Sequence, residues 1–382
     1  MNIIFVFTYG ISLKNWHETG VLSREIEVYK RLSADHGISF TFLTFGDESD
    51  EEYEYLFENL KILPIYKYIN KSESRVVDFL KTIFGIKKII NLLGDFEIIK
   101  TNQLHGSWVA MIIKFLSKKP LYLRTGYNLF EFSVRNKKRI HKKIFYYLLT
   151  QVGLIYSDVY SVTSKADELY LKKYFITKKI AIMPNWVLDV KKNEFKNRHK
   201  NRLLAVGRLE SQKNFHSLIN ALAGSEVELD IVGVGSEKNS LKKLALQSNV
   251  KLNLIGNLEH QELTKLYLNY RVFIIPSKFE GNPKVVLEAI SRGALVISKE
   301  NKNISEIIND EINGVIYKDD NEILEKVNYY LGNEEVWNEI VFEAYKSLIS
   351  NNIIEKYIER EISTYKNLIS FLHQAFQNNI NK

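Results

Sequence analysis

Short apolar runs recur along the 382-residue chain, separated by longer stretches in which apolar positions return every three or four residues. In the first half the runs are NIIFVFT, ISFTFLT, FEIIKT, PLYLRT, VYSVT and KIAIMP. Continuous apolar runs bounded by turn residues predict strands buried on both faces, and the helical period between them predicts covering helices. Their alternation predicts parallel sheets with helices on both sides. After Pro184 the pattern breaks at VLDVKKNEFKNRHKN, residues 187–201, which is polar, basic and aperiodic. It restarts with RLLAVGR, VELDIVG, VKLNLIG, RVFIIPS and ALVIS, predicting a second α/β domain. From Asn321 onward only helical periods remain, closing in a segment from Ile353 without Gly or Pro. The expected division is therefore a first domain over 1–186, a linker over 187–201, a second domain over 202–352 and a helical segment over 353–382.

Composition narrows the chemistry. The apolar fraction of 45% and charged fraction of 26% are those of an ordinary globular protein with enough material for two cores. The absence of cysteine excludes disulfides, zinc–thiolate sites, Fe–S clusters and a Cys nucleophile, and points to a reducing compartment. The opening MNIIFVFTYG has no basic leader and too short an apolar run for a signal peptide, and no stretch reaches the roughly 18 apolar residues of a membrane span. A cytoplasmic protein is expected, soluble or peripheral on the inner face of the membrane.

The net charge of +8 suits nucleic acid, anionic lipid or a phosphorylated substrate without choosing among them. Its densest part is RNKKRIHKKIFYY, residues 135–147, with six Lys or Arg before an aromatic-rich apolar run. This reads either as a basic amphipathic segment for an anionic membrane or as a solvated loop before a core helix. The acidic run GDESDEEYEY, residues 46–55, reads as an exposed loop or helix face.

In open parallel sheets, ligands bind beyond the carboxyl ends of the strands, and the informative residues follow strands here. Gly10 and Gly20 bracket the first loop, His105 follows FEIIKTNQ, Arg208 follows LLAVG, Gly256 follows LNLI and Glu280 follows FIIPS. In KFEGNPKVVLEA, Pro283 suits a first helical position and Asn282 an N-cap. The amides of residues 284–286 then form an anion site that Gly281 leaves open to close approach. Carboxylates on either side, Glu280 and Glu288, suit sugar diols, so the stretch predicts a ligand ordered as diol, diphosphate, diol. The plainer alternative is an exposed Lys284–Glu288 helix pair with Glu280 serving the helix dipole. Arg208 and Lys213 in VGRLESQKN have the reach and charge for a diphosphate. Gly233-Val234-Gly235 lacks the third glycine of a dinucleotide fingerprint, and the eight histidines are too scattered for a metal site.

Together these residues resemble the retaining glycosyltransferases of the GT-B fold, in the glycosyl transferase group 1 (GT4-like) family. PNWVLD is similar to the family's PNGVD element, VGRLESQKN to its phosphate-binding GRL element, IVGVGSE to its paired-glycine turn and FEGNPKVVLEA to its E-x7-E motif. The resemblance implies two Rossmann-like domains facing one cleft, with the C-terminal helix crossing back to the first. It implies Arg208 and Lys213 on the diphosphate, Glu288 on the ribose and Glu280 on the sugar. Gly207, Gly281, Asn282, Pro283, Lys284 and Val285 would line the donor, with Gly256 on the rim, Gly20 near the diphosphate and His105 facing the sugar. It also implies no metal or other cofactor, a glycan or lipid-linked acceptor in bacterial surface polysaccharide synthesis, and no nucleic acid partner. A sugar-nucleotide epimerase on the same fold and a basic RNA-binding protein are the alternatives. Trp186 in place of the usual Gly, Gly293-Ala294-Leu295 in place of Gly-x-Pro, and the missing double glycine after the first strand depart from the pattern.

Overall fold

The computed structural model describes residues 1–192 and 194–380, and the side chains of those up to residue 370. The chain divides into two compact units, Met1–Met183 joined by the residues from Ile358 on, and Pro184–Tyr357. Each is an α/β unit around an all-parallel sheet.

The first sheet contains β1 (Asn2–Val6), β2 (Ser39–Thr44), β3 (Leu60–Pro64), β4 (Ile98–Thr101), β5 (Leu121–Arg124), β6 (Val159–Val162) and β7 (Ile180–Ile182). Their order is β3-β2-β1-β4-β5-β6-β7, so the strand order reverses between β1 and β4. Four of the five residues of β1 are buried, as its unbroken apolar run requires in a sheet covered on both faces. Phe5, Phe42, Tyr29 and Phe40 fill one part of this core: Phe5 meets Tyr29 at a tilt at 4.8 Å, and Phe5–Phe42, Tyr29–Phe40 and Tyr29–Phe42 meet edge-on at 5.1–5.2 Å.

The second sheet contains β8 (His199–Val206), β9 (Glu228–Val232), β10 (Leu252–Gly256), β11 (Tyr270–Ile275), β12 (Leu295–Lys299) and β13 (Val315–Tyr317), in the order β10-β9-β8-β11-β12-β13. Here the order reverses between β8 and β11. Helices Ile323–Gly332 and Glu334–Asn351 cover the sheet, with Val327, Trp337, Ile340 and Val341 in its core.

Several local expectations change. Strands β3 and β13 are edge strands not read from the sequence: one ends in Pro64 and the other has three residues. Proline is tolerated at a sheet edge, where no further strand needs its missing donor. The basic stretch 187–201 lies in the second unit and its last three residues open β8. Phe195 packs on Trp337, and the buried Arg198 guanidinium donates to the carbonyls of Tyr267, Tyr270 and Arg292 at 2.7–3.2 Å. In the acidic run Asp47, Glu48, Glu52 and Glu54 are exposed and Glu51 is partly exposed, whereas Asp50 is 1% exposed. Its carboxylate accepts from the Leu13 and Lys14 amides at 3.1 Å and from the Thr44 hydroxyl at 2.6 Å, holding the loop after β1.

In the first unit the helix that begins at Ile354 brings Glu361 onto the middle of the sheet. There it pairs with Lys100 of β4, both side chains being fully buried. The Lys100 amine also donates to the Tyr365 hydroxyl at 3.2 Å and lies over the Tyr29, Tyr122 and Tyr365 rings. Burial pulls the amine down to about 8 against the opposing pull of Glu361. Removing one partner strands a buried charge, whereas removing both does not. Lys100→Met is expected to cost roughly 3–5 kcal/mol in urea denaturation, and Lys100→Met/Glu361→Leu to recover most of it. Equal losses in the two variants would show that the pair itself carries the stability.

Candidate active site

The loops leaving β8 and β11, neighbours at the point where the strand order of the second sheet reverses, are stitched side chain to backbone. Gln212 Nε2 donates to the Phe279 carbonyl at 2.9 Å, and the Lys278 amide returns a bond to the Gln212 carbonyl at 2.9 Å. Asn214 Nδ2 donates to the Pro276 carbonyl at 3.3 Å, and Asn303 Nδ2 to the Glu280 carbonyl at 2.7 Å. These bonds set Lys213 against Glu280, Nζ to Oε1 at 2.6 Å, with side chains 14% and 7% exposed.

Lys213 reaches Glu280 by lying over Gly207, where a Cβ would stand 2.9 Å from its Cε. The next layer is tighter. A Cβ on Gly233 would lie 2.0 Å from the Gly207 carbonyl oxygen, and one on Gly235 would lie 2.4 Å from that of Leu209. The glycine pair after β9 therefore serves close backbone approach rather than dinucleotide binding. Arg208 projects from the same loop, 68% exposed, with Glu210 at 3.2 Å.

The FEGNP corner begins its helix one residue later than expected. The helix is Lys284–Ser291 with Pro283 at the N-cap, and Asn282 supplies no cap bond. Asn282 instead bonds Asn185: its Oδ1 accepts from the Asn185 amide at 3.3 Å, and its carbonyl accepts from Asn185 Nδ2 at 2.6 Å. The PNW element is thus folded onto the corner. Trp186 is buried against Tyr357, and the Lys284 amine lies 5.1 Å from the Trp186 ring centre. Gly281, Asn282 and Pro283 are buried, and Lys284 and Val285 are partly exposed at the helix entrance.

Glu288 is 3% exposed, which removes the reading of an exposed helix pair with Lys284. Its Oε1 lies 3.4 Å from Nε2 of His260, the first residue of helix His260–Tyr267. Sequence reasoning missed His260, although it stands four residues after Gly256, beyond the end of β10. Gly256 has φ +92°, and its carbonyl accepts from the Gly233 amide at 2.7 Å, joining this rim to the glycine contact. The second unit therefore gathers Gly207, Arg208, Lys213, Gly256, Glu280, residues 281–285 and Glu288 beyond the carboxyl ends of its strands.

His105 and Gly20 belong to the first unit. Gly20, at φ +71°, stops helix Leu13–Glu18, its amide donating to the His17 carbonyl at 2.9 Å. His105 follows β4, and its carbonyl accepts from the Tyr9 amide at 3.0 Å. Gly106 permits this contact: it has φ +104°, and a Cβ there would lie 2.7 Å from the Tyr9 nitrogen. The imidazole meets the Tyr9 and Trp108 rings edge-on, and burial followed by the Arg75 charge lowers its pKa to about 4. It is therefore neutral near pH 7, able to donate from one ring nitrogen and accept at the other. Beside it Ser107 Oγ and Trp108 Nε1 are buried without a hydrogen-bond partner among the described residues.

Residues 189–351 match the family model described as Glycosyl transferases group 1. An uncharacterised glycosyltransferase of Methanocaldococcus jannaschii is 35% identical over 119 residues, 30% of this chain and 30% of that protein. A Campylobacter jejuni enzyme is 25% identical over 218 residues, 55% of this chain and 60% of its own length. It is named as an α-1,4-N-acetyl-D-galactosaminyltransferase acting on a GalNAc-containing diNAcBac-PP-undecaprenol. The chain thus spans between 30% and 60% of these relatives. The structure of Anabaena HepE in complex with UDP-glucose superposes with a TM-score of 0.75 at 13% identity, covering 96% of this chain and all of that one. That likeness shows the fold, the GT-B class of two parallel-sheet α/β domains.

The glycine geometry yields a direct test. Gly233→Ala combines a disfavoured φ of +148° with a 2.0 Å clash against backbone, whereas Gly256 at φ +92° has nothing within 4 Å of a new Cβ. Denaturation is expected to show a loss of about 3 kcal/mol or more for Gly233→Ala and about 1 kcal/mol for Gly256→Ala. Equal costs would contradict the close approach.

Proposed function

We propose, from the premise that this chain belongs to the group 1 glycosyltransferases, that it moves a sugar from a nucleoside-diphosphate sugar to a hydroxyl of a glycan or lipid-linked acceptor, with retention of configuration. The observation that carries this reading is the Lys213–Glu280 pair beside the start of helix Lys284–Ser291, with the buried Glu288 further along the same helix. A carboxylate next to a diphosphate is tolerable when a cation accompanies it, and Lys213 does so for Glu280.

In this reading Glu288 accepts from the ribose diol, with His260 orienting it. Glu280 accepts from sugar hydroxyls. Lys213, Arg208 and the first-turn amides of the helix face the two phosphates. When the bond from the anomeric carbon to the β-phosphate oxygen breaks, its electron pair stays on the diphosphate, and the acceptor hydroxyl oxygen bonds to the anomeric carbon as its proton passes to the departing diphosphate. The leaving negative charge is met by two cations and the positive end of a helix dipole already in place, so no reorganisation is needed as it develops. These groups supply the neutralisation for which other enzymes use a metal, and we assign no metal or cofactor to the site. The buried Ser107 hydroxyl and the neutral His105 give the first unit polar groups suited to sugar hydroxyls. UDP-sugars are the first donors to try because the superposed HepE structure holds UDP-glucose. The Campylobacter relative's named substrate supports a polyprenyl-linked acceptor in surface polysaccharide synthesis.

Arg208 is exposed and makes one surface ion pair, so its removal is expected to leave stability within about 0.5 kcal/mol while lowering kcat by about 10²-fold, unaffected by EDTA. Initial rates of donor consumption with and without acceptor measure this. Intact turnover in Arg208→Ala would remove Arg208 from the reaction, and loss on EDTA treatment would bring in a metal.

A further inference from the structure

Three helices of the first unit, Arg75–Ile90, Ser107–Ser117 and Ile140–Tyr156, pack side by side. Phe79 meets Trp108 at 4.9 Å and Phe145 at 6.1 Å, closing the seam between them. Their inner faces bury Ile86, Ile89, Val109, Ile113, Leu149 and Leu154. Their outer faces are unusual.

On helix Ile140–Tyr156 the residues Ile140, Ile144, Leu148 and Val152 recur every fourth position, and on helix Arg75–Ile90 so do Val76, Leu80 and Phe84; all seven are between 45% and 75% exposed. A helix that merely covers a core puts polar side chains at such positions. Single exposed apolar residues are ordinary, but two neighbouring stripes mark an interaction face.

Within the two helices that carry these stripes, the exposed charged side chains are basic. Residues 132–157 contain no Asp or Glu, while six Lys or Arg stand between 135 and 143 at the start of helix Ile140–Tyr156. The sole acid within helix Arg75–Ile90 is Asp78, which is 2% exposed and turned inward, accepting from the hydroxyls of Tyr9 at 2.7 Å and Tyr66 at 2.6 Å. Arg75, Lys81, Lys87 and Lys88 on the same helix are exposed. Among these cations Arg135 is paired, with Glu131 at its entrance.

We propose that helices Arg75–Ile90 and Ile140–Tyr156 form a docking face for an anionic lipid bilayer. The apolar stripes enter the headgroup boundary, and Lys137, Lys138, Arg139 and Lys142 meet the headgroup phosphates. No described helix is long and apolar enough to cross a membrane, so the attachment is to the surface. Charge chooses this occupant over a second copy of the chain, because a twofold contact through this face would set one cation cluster against its twin. The proposal does not rest on the transfer reaction, since none of these residues belongs to the nucleotide site.

Sedimentation of the full chain with vesicles tests it. Binding is expected to phosphatidylcholine vesicles containing ~30% phosphatidylglycerol and not to phosphatidylcholine alone, weakening as salt rises. Lys137→Ala/Lys138→Ala/Arg139→Ala is expected to lower the partition by roughly a hundredfold. Ile144→Ser/Leu148→Ser and Leu80→Ser/Phe84→Ser are expected to lower it as well, with melting temperature and nucleoside-diphosphate binding unchanged because these side chains face solvent. Equal binding to the two vesicle types, binding to neither, or variants that sediment like the parent would overturn the proposal. So would a dimer in light scattering that Ile144→Ser/Leu148→Ser abolishes, which would assign the face to a second copy.

Discussion

Backbone touches backbone where the loops after β8 and β9 meet, because neither Gly233 nor Gly235 has a Cβ to hold the Gly207–Leu209 segment away. Any side chain at Gly233 would displace the Gly207 carbonyl, and with it the strip over which Lys213 lies. Lys213 would then lose its line to Glu280, and the corner opening helix Lys284–Ser291 would lose the cation beside it. The positions of the charged groups thus follow from an absence of side-chain atoms two layers below them. The Gln212, Asn214 and Asn303 bonds lock the same loops from the other side.

Ion pairs serve different ends in the two units. In the second unit Lys213 sets a cation against Glu280 beside a helix entrance, so that this carboxylate does not stand there alone to repel phosphate. In the first, Lys100–Glu361 is sealed among tyrosines and specifies where the last helix docks. A fully buried pair of this kind adds little net stability compared with an apolar pair of the same shape, but it penalises every arrangement in which one charge is left alone. The two settings differ chiefly in access. Glu280 and Lys213 retain 7% and 14% exposure beyond the carboxyl ends of the strands, where ligands approach open α/β sheets.

Much of this was legible in the chain. Unbroken apolar runs such as NIIFV and RVFII declare strands buried on both faces, and the Gly-Asn-Pro corner between two glutamates declares a helix entrance, where helix Lys284–Ser291 begins. What escaped has physical reasons. Strands β3 and β13 sit at sheet edges, where short runs and a terminal proline suffice. Pro283 reads as a first helical residue, but Asn282 is engaged with Asn185 across 97 positions, so its capping propensity was overridden by a tertiary bond. Asp50 and Arg198 look like members of solvated charge runs; each is buried because backbone groups distant in sequence converge on it. His260 was passed over for the same reason, since its meaning lies in Glu288, which the sequence places 28 residues away.

The proposed transfer requires that the second unit hold a nucleoside diphosphate through Glu288. The most direct measurement is the thermal stability of the protein titrated with UDP, GDP, ADP and CDP, repeated on Glu288→Ala. One of them at a hundredfold its Kd is expected to add about 2.7 kcal/mol of stability, and the substitution to weaken its binding at least about tenfold while the unliganded protein stays folded. No stabilisation by any of the four, or binding unchanged in Glu288→Ala, would contradict the assignment of the site.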